Sequence, residues 1–142
     1  MAMMAAEELG IPYEHIRCTV ADTAPLGYNE ISHGSRVTYA SGLATIKAAK
    51  DAVNKLCKRA AQKWGIHEDA VKWENGCAVP SGANAGDFDP LPLAKITANM
   101  GATGGPIVGH FEATPEGAGV SFATHIVDAE VDRETGKTNI TR

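Results

Sequence analysis

The sequence predicts an α+β fold, in which a long helix and shorter helices pack on a mainly antiparallel sheet. Apolar residues recur at three- and four-residue steps between residues 37 and 64, which indicates one long amphipathic helix. Short runs that alternate apolar and polar residues lie between turn residues elsewhere, and these indicate strands. The length of 142 residues suits a single domain, residues 1–142.

The first third of the chain predicts a helix, a strand and a long loop. A helix over residues 2–9 is expected to end at Gly10, with Pro12 just beyond it. Residues 13–20 mix branched apolar and polar side chains and predict a strand. Residues 21–36 are rich in Gly, Ser, Pro and Asn, and a loop of this length usually has a function or needs a partner.

The long helix is the strongest structural signal. Cations crowd the second half of its polar face, where the helix dipole favours them, and Gly65 is expected to end it. Gly42 and the surface alanines would let another backbone approach closely. The apolar face contains Tyr39, Leu43, Ile46, Ala49, Val53, Leu56, Ala60 and Trp64.

The rest of the chain predicts a hairpin, a short helix and a β-rich end. Asn75-Gly76 is a strong two-residue turn signal within a hairpin over residues 71–80, and a helix is expected over residues 91–99. Further strands are predicted over residues 107–113 and 119–132, the second with one buried face. A return strand is expected from Lys137 onward.

Composition excludes several classes of protein. The net charge of -4 does not suit a general nucleic-acid binder. Apolar runs are too short to cross a bilayer, and residues 1–10 lack a basic targeting region. The cysteines at 18, 57 and 77 show no metal-site spacing, which indicates reduced thiols in a cytoplasmic protein, with Cys18 in a strand.

The richest candidate site is His33-Gly34-Ser35-Arg36, just before the long helix. Gly34 would let a ligand approach the backbone, Ser35 offers a hydroxyl that can also cap the helix, and Arg36 offers a positive fork. Free N–H groups at a helix start favour an anion. The string therefore suits a phosphate or an oxygen-rich cofactor, although the residues alone favour the simpler explanation of a Gly-Ser loop that caps a helix.

Other polar residues favour structural explanations, and the residues alone predict neither a catalytic group nor a metal site. A histidine on a strand is usually structural, the strand carboxylates fit a solvated face, and the aspartates of the Gly-rich loop lack the glutamate of a calcium loop. These residues are His110, His125, Asp128, Glu130, Asp132, Asp87 and Asp89.

Three segments, in order, resemble the molybdenum-binding large subunit of the xanthine dehydrogenase and aldehyde oxidase family. They are AAEELGIPYEHIRCTVADT, GSRVTYASGLATIKAAKDAV and VSFATHIVDAEVDRETGKTNITR. Gly34-Ser35-Arg36 followed by Gly42 is the most specific part, and Thr135-Gly136-Lys137 after the last long strand is the second.

The resemblance implies oxidative hydroxylation of aldehydes, purines or N-heterocycles, or oxidation of CO. It implies a molybdopterin cofactor, in its cytosine dinucleotide form, with electrons leaving through iron–sulfur and FAD subunits or domains. Gly34, Ser35, Arg36 and Thr38 are the residues that it places against the cofactor.

The family's catalytic glutamate segment and its Phe-Gly-Gly segment do not occur in these 142 residues. The resemblance therefore implies a fragment that needs the remainder of its subunit, binds the cofactor weakly or not at all when alone, and is inactive in isolation. Apolar surface left without neighbours would favour self-association through the long helix or strand edges. A small subunit of a split molybdenum enzyme and a non-enzymatic anion-binding module are the alternatives.

Overall fold

The computed structural model describes residues 1–142 except 21, 23, 25, 26, 30, 99, 103, 113, 115, 118 and 121. Its helices and strands confirm the α+β class. They are α1 (Ala2–Leu9), α2 (Gly42–Trp64) and α3 (Leu93–Thr97), with β1 (Val71–Glu74), β2 (Cys77–Pro80), β3 (Leu91–Pro92), β4 (Ala129–Val131) and β5 (Thr138–Ile140). A π-helical turn, Val37–Ser41, leads into α2, and 3-10 turns cover Tyr13–His15, Glu68–Ala70, Gly82–Asn84 and Met100–Ala102.

The structure confirms that α1 and α2 each end at the glycine predicted from the sequence. Gly10 (φ 64°) ends α1 and Gly65 (φ 71°) ends α2, each in the left-handed conformation that glycine adopts readily. Helix α1 packs against α2, and a Cβ on Gly42 would lie 3.0 Å from the sulfur of Met4. The close neighbour at Gly42 is therefore a side chain. Within the described residues, no helix is both long and apolar enough to cross a membrane.

The core lies between the second half of α2, the sheet β1-β2-β3 and α3. The predicted hairpin is confirmed: β1 pairs antiparallel with β2 around Asn75 (φ 49°) and Gly76 (φ 75°). Strand β3 adds to the other side of β2. The buried residues of the cluster are Leu56, Ala60, Ala61, Val71, Ala78, Leu91 and Ile96.

Two predictions in the first 100 residues need correction. The strand over residues 13–20 is wrong: a 3-10 turn, Tyr13–His15, is followed by irregular, mostly exposed chain. No described strand lies beside this segment to accept its backbone hydrogen bonds, so Cys18 is exposed and outside any strand. The helix expected over residues 91–99 begins at Leu93, because residues 91–92 pair with β2.

The last third of the chain contains less strand than predicted. The described part of residues 107–113 forms no strand, and the strand expected over residues 119–132 is reduced to β4. The return strand is confirmed as β5, which pairs antiparallel with β4. The predicted buried face is wrong, because each residue from 122 to 142 is exposed.

Residues 105–112, called the strap below, run along α2 in the opposite direction without forming a strand. The Lys55 ammonium donates to the carbonyl of Val108 over 2.7 Å, and the backbone N–H of His110 donates to the carboxylate of Asp51 over 3.0 Å. The strap is therefore attached to the helix by polar bonds that engage its backbone.

Candidate functional site

The loop before the long helix contains two consecutive left-handed residues. Gly34 has φ 60° and Ser35 has φ 56°, and the N–H of Arg36 donates to the carbonyl of His33 over 3.2 Å to close the turn. A left-handed backbone is unfavourable for serine, so the loop holds Ser35 in a conformation that this residue rarely adopts alone. A Cβ on Gly34 would meet no atom within 4 Å, so the space beside this backbone is open.

The expectation that Ser35 caps the helix is wrong. Arg36 takes the capping position, with φ -78° and ψ -19°, and its side chain makes no capping hydrogen bond. The helix begins instead with the π-helical turn Val37–Ser41, a form that often occurs at functional sites. Backbone N–H groups of this first turn are therefore not satisfied by a side-chain cap and are suited to an anion.

An open depression of about 230 Å³ lies at this helix start. Its lining offers three hydroxyls, an imidazole and a guanidinium, a set of donors that fits anionic oxygens. The lining residues are Ser32, His33, Ser35, Arg36, Val37 and Thr38. The structure thus brings together three of the four predicted residues, Ser35, Arg36 and Thr38, while Gly34 lies in the adjoining turn.

The Arg36 guanidinium is held by the loop that precedes it. Its Nη1 lies 3.4 Å from both the side-chain oxygen of Asn29 and the carbonyl of Ile31. The Asn29 amide in turn donates to the Ser41 hydroxyl over 3.2 Å. Asn29 therefore links the loop, the guanidinium and the π-helical turn, a role that its position in a polar loop did not reveal.

A larger open depression, about 590 Å³, lies at the end of α1, but its chemistry differs. Glu7 and Tyr13 are among its lining residues, and that lining contains no cation. A site for an anionic ligand needs donors and positive charge, so we assign the smaller depression at the start of α2 as the candidate site.

The remaining candidates stay separate from this site. His110 and His125 do not lie in strands as predicted, whereas Asp128, Glu130 and Asp132 form the exposed polar side of the β4 segment, as expected. Among the described residues, no three His, Cys, Asp or Glu side chains come together as a set that could hold a metal ion. All three cysteines are free.

The size of the depression indicates a single wall of a site. Ligand pockets usually enclose about 300–1,000 Å³ and bury most of the ligand surface, and this depression is smaller and open to solvent. Its donors fit the oxygens of a phosphate-bearing cofactor, but the described residues around it could cover only one side of such a molecule.

Comparison with known proteins agrees with this chemistry. Residues 1–142 match the family model of the molybdopterin cofactor-binding domain. The carbon monoxide dehydrogenase large chain of Hydrogenophaga pseudoflava is 28% identical over 144 residues, which cover 99% of this chain and 18% of that relative. The chain thus spans less than a fifth of the relative's length. The match over its whole length shows that this chain belongs to the molybdopterin cofactor-binding domain family.

Proposed function

We propose that this chain supplies one wall of the molybdopterin site of a molybdenum hydroxylase, with Gly34, Ser35, Arg36 and Thr38 in contact with the cofactor. The observation that carries the proposal is the depression at the start of α2, whose lining residues offer hydroxyls, an imidazole and a guanidinium beside the first helical turn. Such groups bind anionic oxygens, and molybdopterin carries a phosphate.

Each residue would contribute a different contact. Arg36 donates from its guanidinium to an anionic oxygen, and the hydrogen bond that it donates to Asn29 keeps the guanidinium oriented. The Ser35 and Thr38 hydroxyls donate to neighbouring oxygens, and Gly34 lets the cofactor approach the backbone. When bound, the cofactor supplies the redox chemistry of molybdenum, while these residues hold and orient it.

The activity proposed for the whole enzyme is oxidative hydroxylation of aldehydes, purines or N-heterocycles, or oxidation of CO. The likeness to a carbon monoxide dehydrogenase large chain supports the last of these. We further propose a cytosine dinucleotide form of the cofactor and a cytoplasmic location. The expected partners are the remainder of the molybdenum subunit and iron–sulfur and FAD subunits or domains.

In isolation, the chain is proposed to bind the cofactor weakly and to be inactive. The depression covers one side of a ligand, and the described residues place no carboxylate in its lining that could act as a general base. Opposing walls would have to come from other polypeptide.

The first experiment titrates the isotope-labelled chain with inorganic phosphate and follows its backbone amide resonances. The amides of residues 35–38 should shift together, with a dissociation constant in the millimolar range. Arg36→Ala should weaken this response about tenfold, since a charge-assisted hydrogen bond contributes roughly 1.5–3 kcal/mol. The matched control is Arg133→Ala, which removes an exposed arginine from the distant hairpin turn.

Other outcomes separate the alternatives. Shifts confined to other residues, or an unchanged response in Arg36→Ala, would contradict the proposed site. Micromolar affinity for phosphate alone would favour a free-standing anion-binding module. Stoichiometric molybdenum and pterin in the purified chain would show a complete cofactor site and overturn the single-wall proposal. A split-enzyme subunit would retain the cofactor only when produced with its separately encoded partner.

A further inference from the structure

Tyr39 lies in the middle of the π-helical turn Val37–Ser41, directly after Thr38 of the candidate site. The N–H of Gly42 donates to the carbonyls of Val37 and Tyr39, so the wide π-helical bond spans Tyr39. Because π-helical turns are rare, contacts to the side chains of such a turn help to select it over an ordinary α-helical turn. The contacts of Tyr39 therefore bear on the shape of the helix start.

Two residues far along the chain hold the Tyr39 side chain. Its hydroxyl donates to the carbonyl of Glu116 over 2.8 Å, across 77 positions of sequence. Gly119 lies so close that a Cβ there would be 2.9 Å from the Cβ of Tyr39 and 3.2 Å from its Cγ. Glu116 thus holds the far end of the side chain while Gly119 packs against its base, so the orientation of the ring is fixed at both ends.

The strap explains how these two residues reach the start of α2. Its backbone contacts the helix at successive positions in reverse order, and Glu116 and Gly119 continue this series to Tyr39. The hydrogen-bonded pairs along the strap are Gly105 with Arg59, Val108 with Lys55, and His110 with Asp51. Between Arg59 and Tyr39 the helix is about 30 Å long, so these contacts cover most of the length of α2.

Tyr39 can affect anion binding without touching the anion. It does not line the depression, but the turn to which it belongs contributes Val37 and Thr38 to that lining. If ordinary α-helical bonds replaced the π-helical bond, the residues before it would shift by one position, or about 100° around the helix axis. The Thr38 hydroxyl and the neighbouring N–H groups would then point in a different direction.

We infer that Tyr39 is a positioning residue of this site. Held by Glu116 and Gly119, it keeps the π-helical turn in the form that presents Thr38 and its neighbours to an anionic oxygen. The inference rests on the proposed function of the depression and adds to it a residue that touches no ligand. Phosphate should therefore bind more weakly when the Tyr39 hydroxyl is lost, although every residue that lines the depression is unchanged.

Phosphate titration of the full 142-residue chain, followed through the amide resonances of residues 35–38, tests this inference. Tyr39→Phe removes only the hydroxyl and should raise the dissociation constant about two- to tenfold, the equivalent of one neutral hydrogen bond. The matched control is Tyr13→Phe, which removes a hydroxyl from the other depression and should leave the constant unchanged. Without phosphate, the Gly42 amide should exchange with solvent faster in Tyr39→Phe than in the wild-type chain, because its bond to Val37 is less well held.

Gly119→Ala tests the same contact from the other side. Whichever residue moves to relieve the 2.9 Å approach, Tyr39 loses its neighbour, so the dissociation constant for phosphate should again rise. Because both changes act through one contact, the double variant should bind phosphate no more weakly than the weaker-binding single variant. The matched control is Gly101→Ala, in which the added Cβ meets no atom within 4 Å.

The outcomes distinguish this inference from the proposed function. If the amides of residues 35–38 do not respond to phosphate in the wild-type chain, both are overturned. A wild-type response that Tyr39→Phe leaves unchanged overturns the inference alone. The same holds if Tyr39→Phe unfolds at lower urea concentration but binds phosphate with the wild-type constant, since Tyr39 would then serve only the fold. Effects that multiply in the double variant would contradict a shared contact.

Discussion

Residues 42–97 and residues 104–142 differ in how their apolar side chains are used. In the first region Leu56 is 2% exposed, and Ala60 and Ala78 are 0% exposed. In the second region no described residue is buried, and Val131 remains 60% exposed although it lies in a paired strand. An apolar face in the sequence is therefore buried only where another element of the same chain covers it.

The origin of the difference is the distance along the chain to the covering element. Helix α2, the β1–β2 hairpin and α3 follow one another closely, so short connections place them around one core. The strap contacts α2 through hydrogen bonds between its backbone and the side chains of Lys55 and Asp51, and its Ile107 packs against the core. Strands β4 and β5 pair chiefly with each other. Residues 42–97 therefore bury their apolar side chains against one another, whereas residues 104–142 leave theirs on the surface.

The largest expected effect is on the free energy of unfolding when a buried leucine, rather than an exposed valine, is replaced by alanine. Leu56→Ala should lower the free energy of unfolding by about 2–5 kcal/mol, because it leaves a cavity in the core. Val131→Ala should change it by less than about 0.5 kcal/mol in the monomer. Urea unfolding at monomeric concentration measures both, and similar losses in the two variants would break the comparison between the regions.

Replacing glycines that have positive φ angles by alanine should have an intermediate effect on stability. Gly10→Ala places a Cβ 2.5 Å from the backbone nitrogen of Gly76, in addition to the left-handed penalty at φ 64°. Gly136→Ala, at φ 73°, meets no atom within 4 Å. We expect Gly10→Ala to cost about 2–3 kcal/mol of global stability, against about 1 kcal/mol or less for Gly136→Ala.

Thermal unfolding of both glycine variants measures this difference. Gly10, at the end of α1, packs closely against Gly76 in the turn of the β1–β2 hairpin, whereas Gly136 lies in the turn between the exposed strands. Equal shifts in melting temperature would show that the contact between Gly10 and Gly76 contributes little, and that both glycines matter only through their own backbone conformation.

The parts of the fold that could be predicted from the sequence depend on local signals. The helix ends at Gly10 and Gly65 and the turn at Asn75-Gly76 are set by conformations that these residues favour. The strands expected over residues 13–20 and 107–113 depend on a neighbouring strand edge far along the chain. A pattern within one segment cannot specify such a partner.

The candidate site was predictable in place but not in detail. Gly34-Ser35-Arg36 before a strong helix signal placed the donors at the helix start, where the structure has them. The left-handed Ser35, the π-helical turn and the hydrogen bond from Arg36 to Asn29 depend on the loop conformation. No periodic pattern encodes that conformation, so the cap predicted for Ser35 was wrong.

The smallest expected effect concerns Asp51, which joins the two regions. The hydrogen bond from Lys55 and then the bond from the backbone N–H of His110 lower the pKa of Asp51 below its usual 3.8. Since the folded pKa is below the unfolded value, this contact stabilises the fold above about pH 3.8, and the contribution is lost as pH falls through the folded pKa. The strap should therefore loosen from α2 only in strong acid.

The amide resonance of His110 reports this event directly. Between about pH 6 and pH 2, its chemical shift should titrate with a midpoint below 3.8 in the wild-type chain, and Asp51→Asn should remove the step. Glu130→Gln, a change to an exposed carboxylate on the distant hairpin, should leave the step unchanged. A midpoint at or above 3.8, or a step that persists in Asp51→Asn, would mean that the strap is held by Lys55 and the other contacts along α2 without help from this carboxylate.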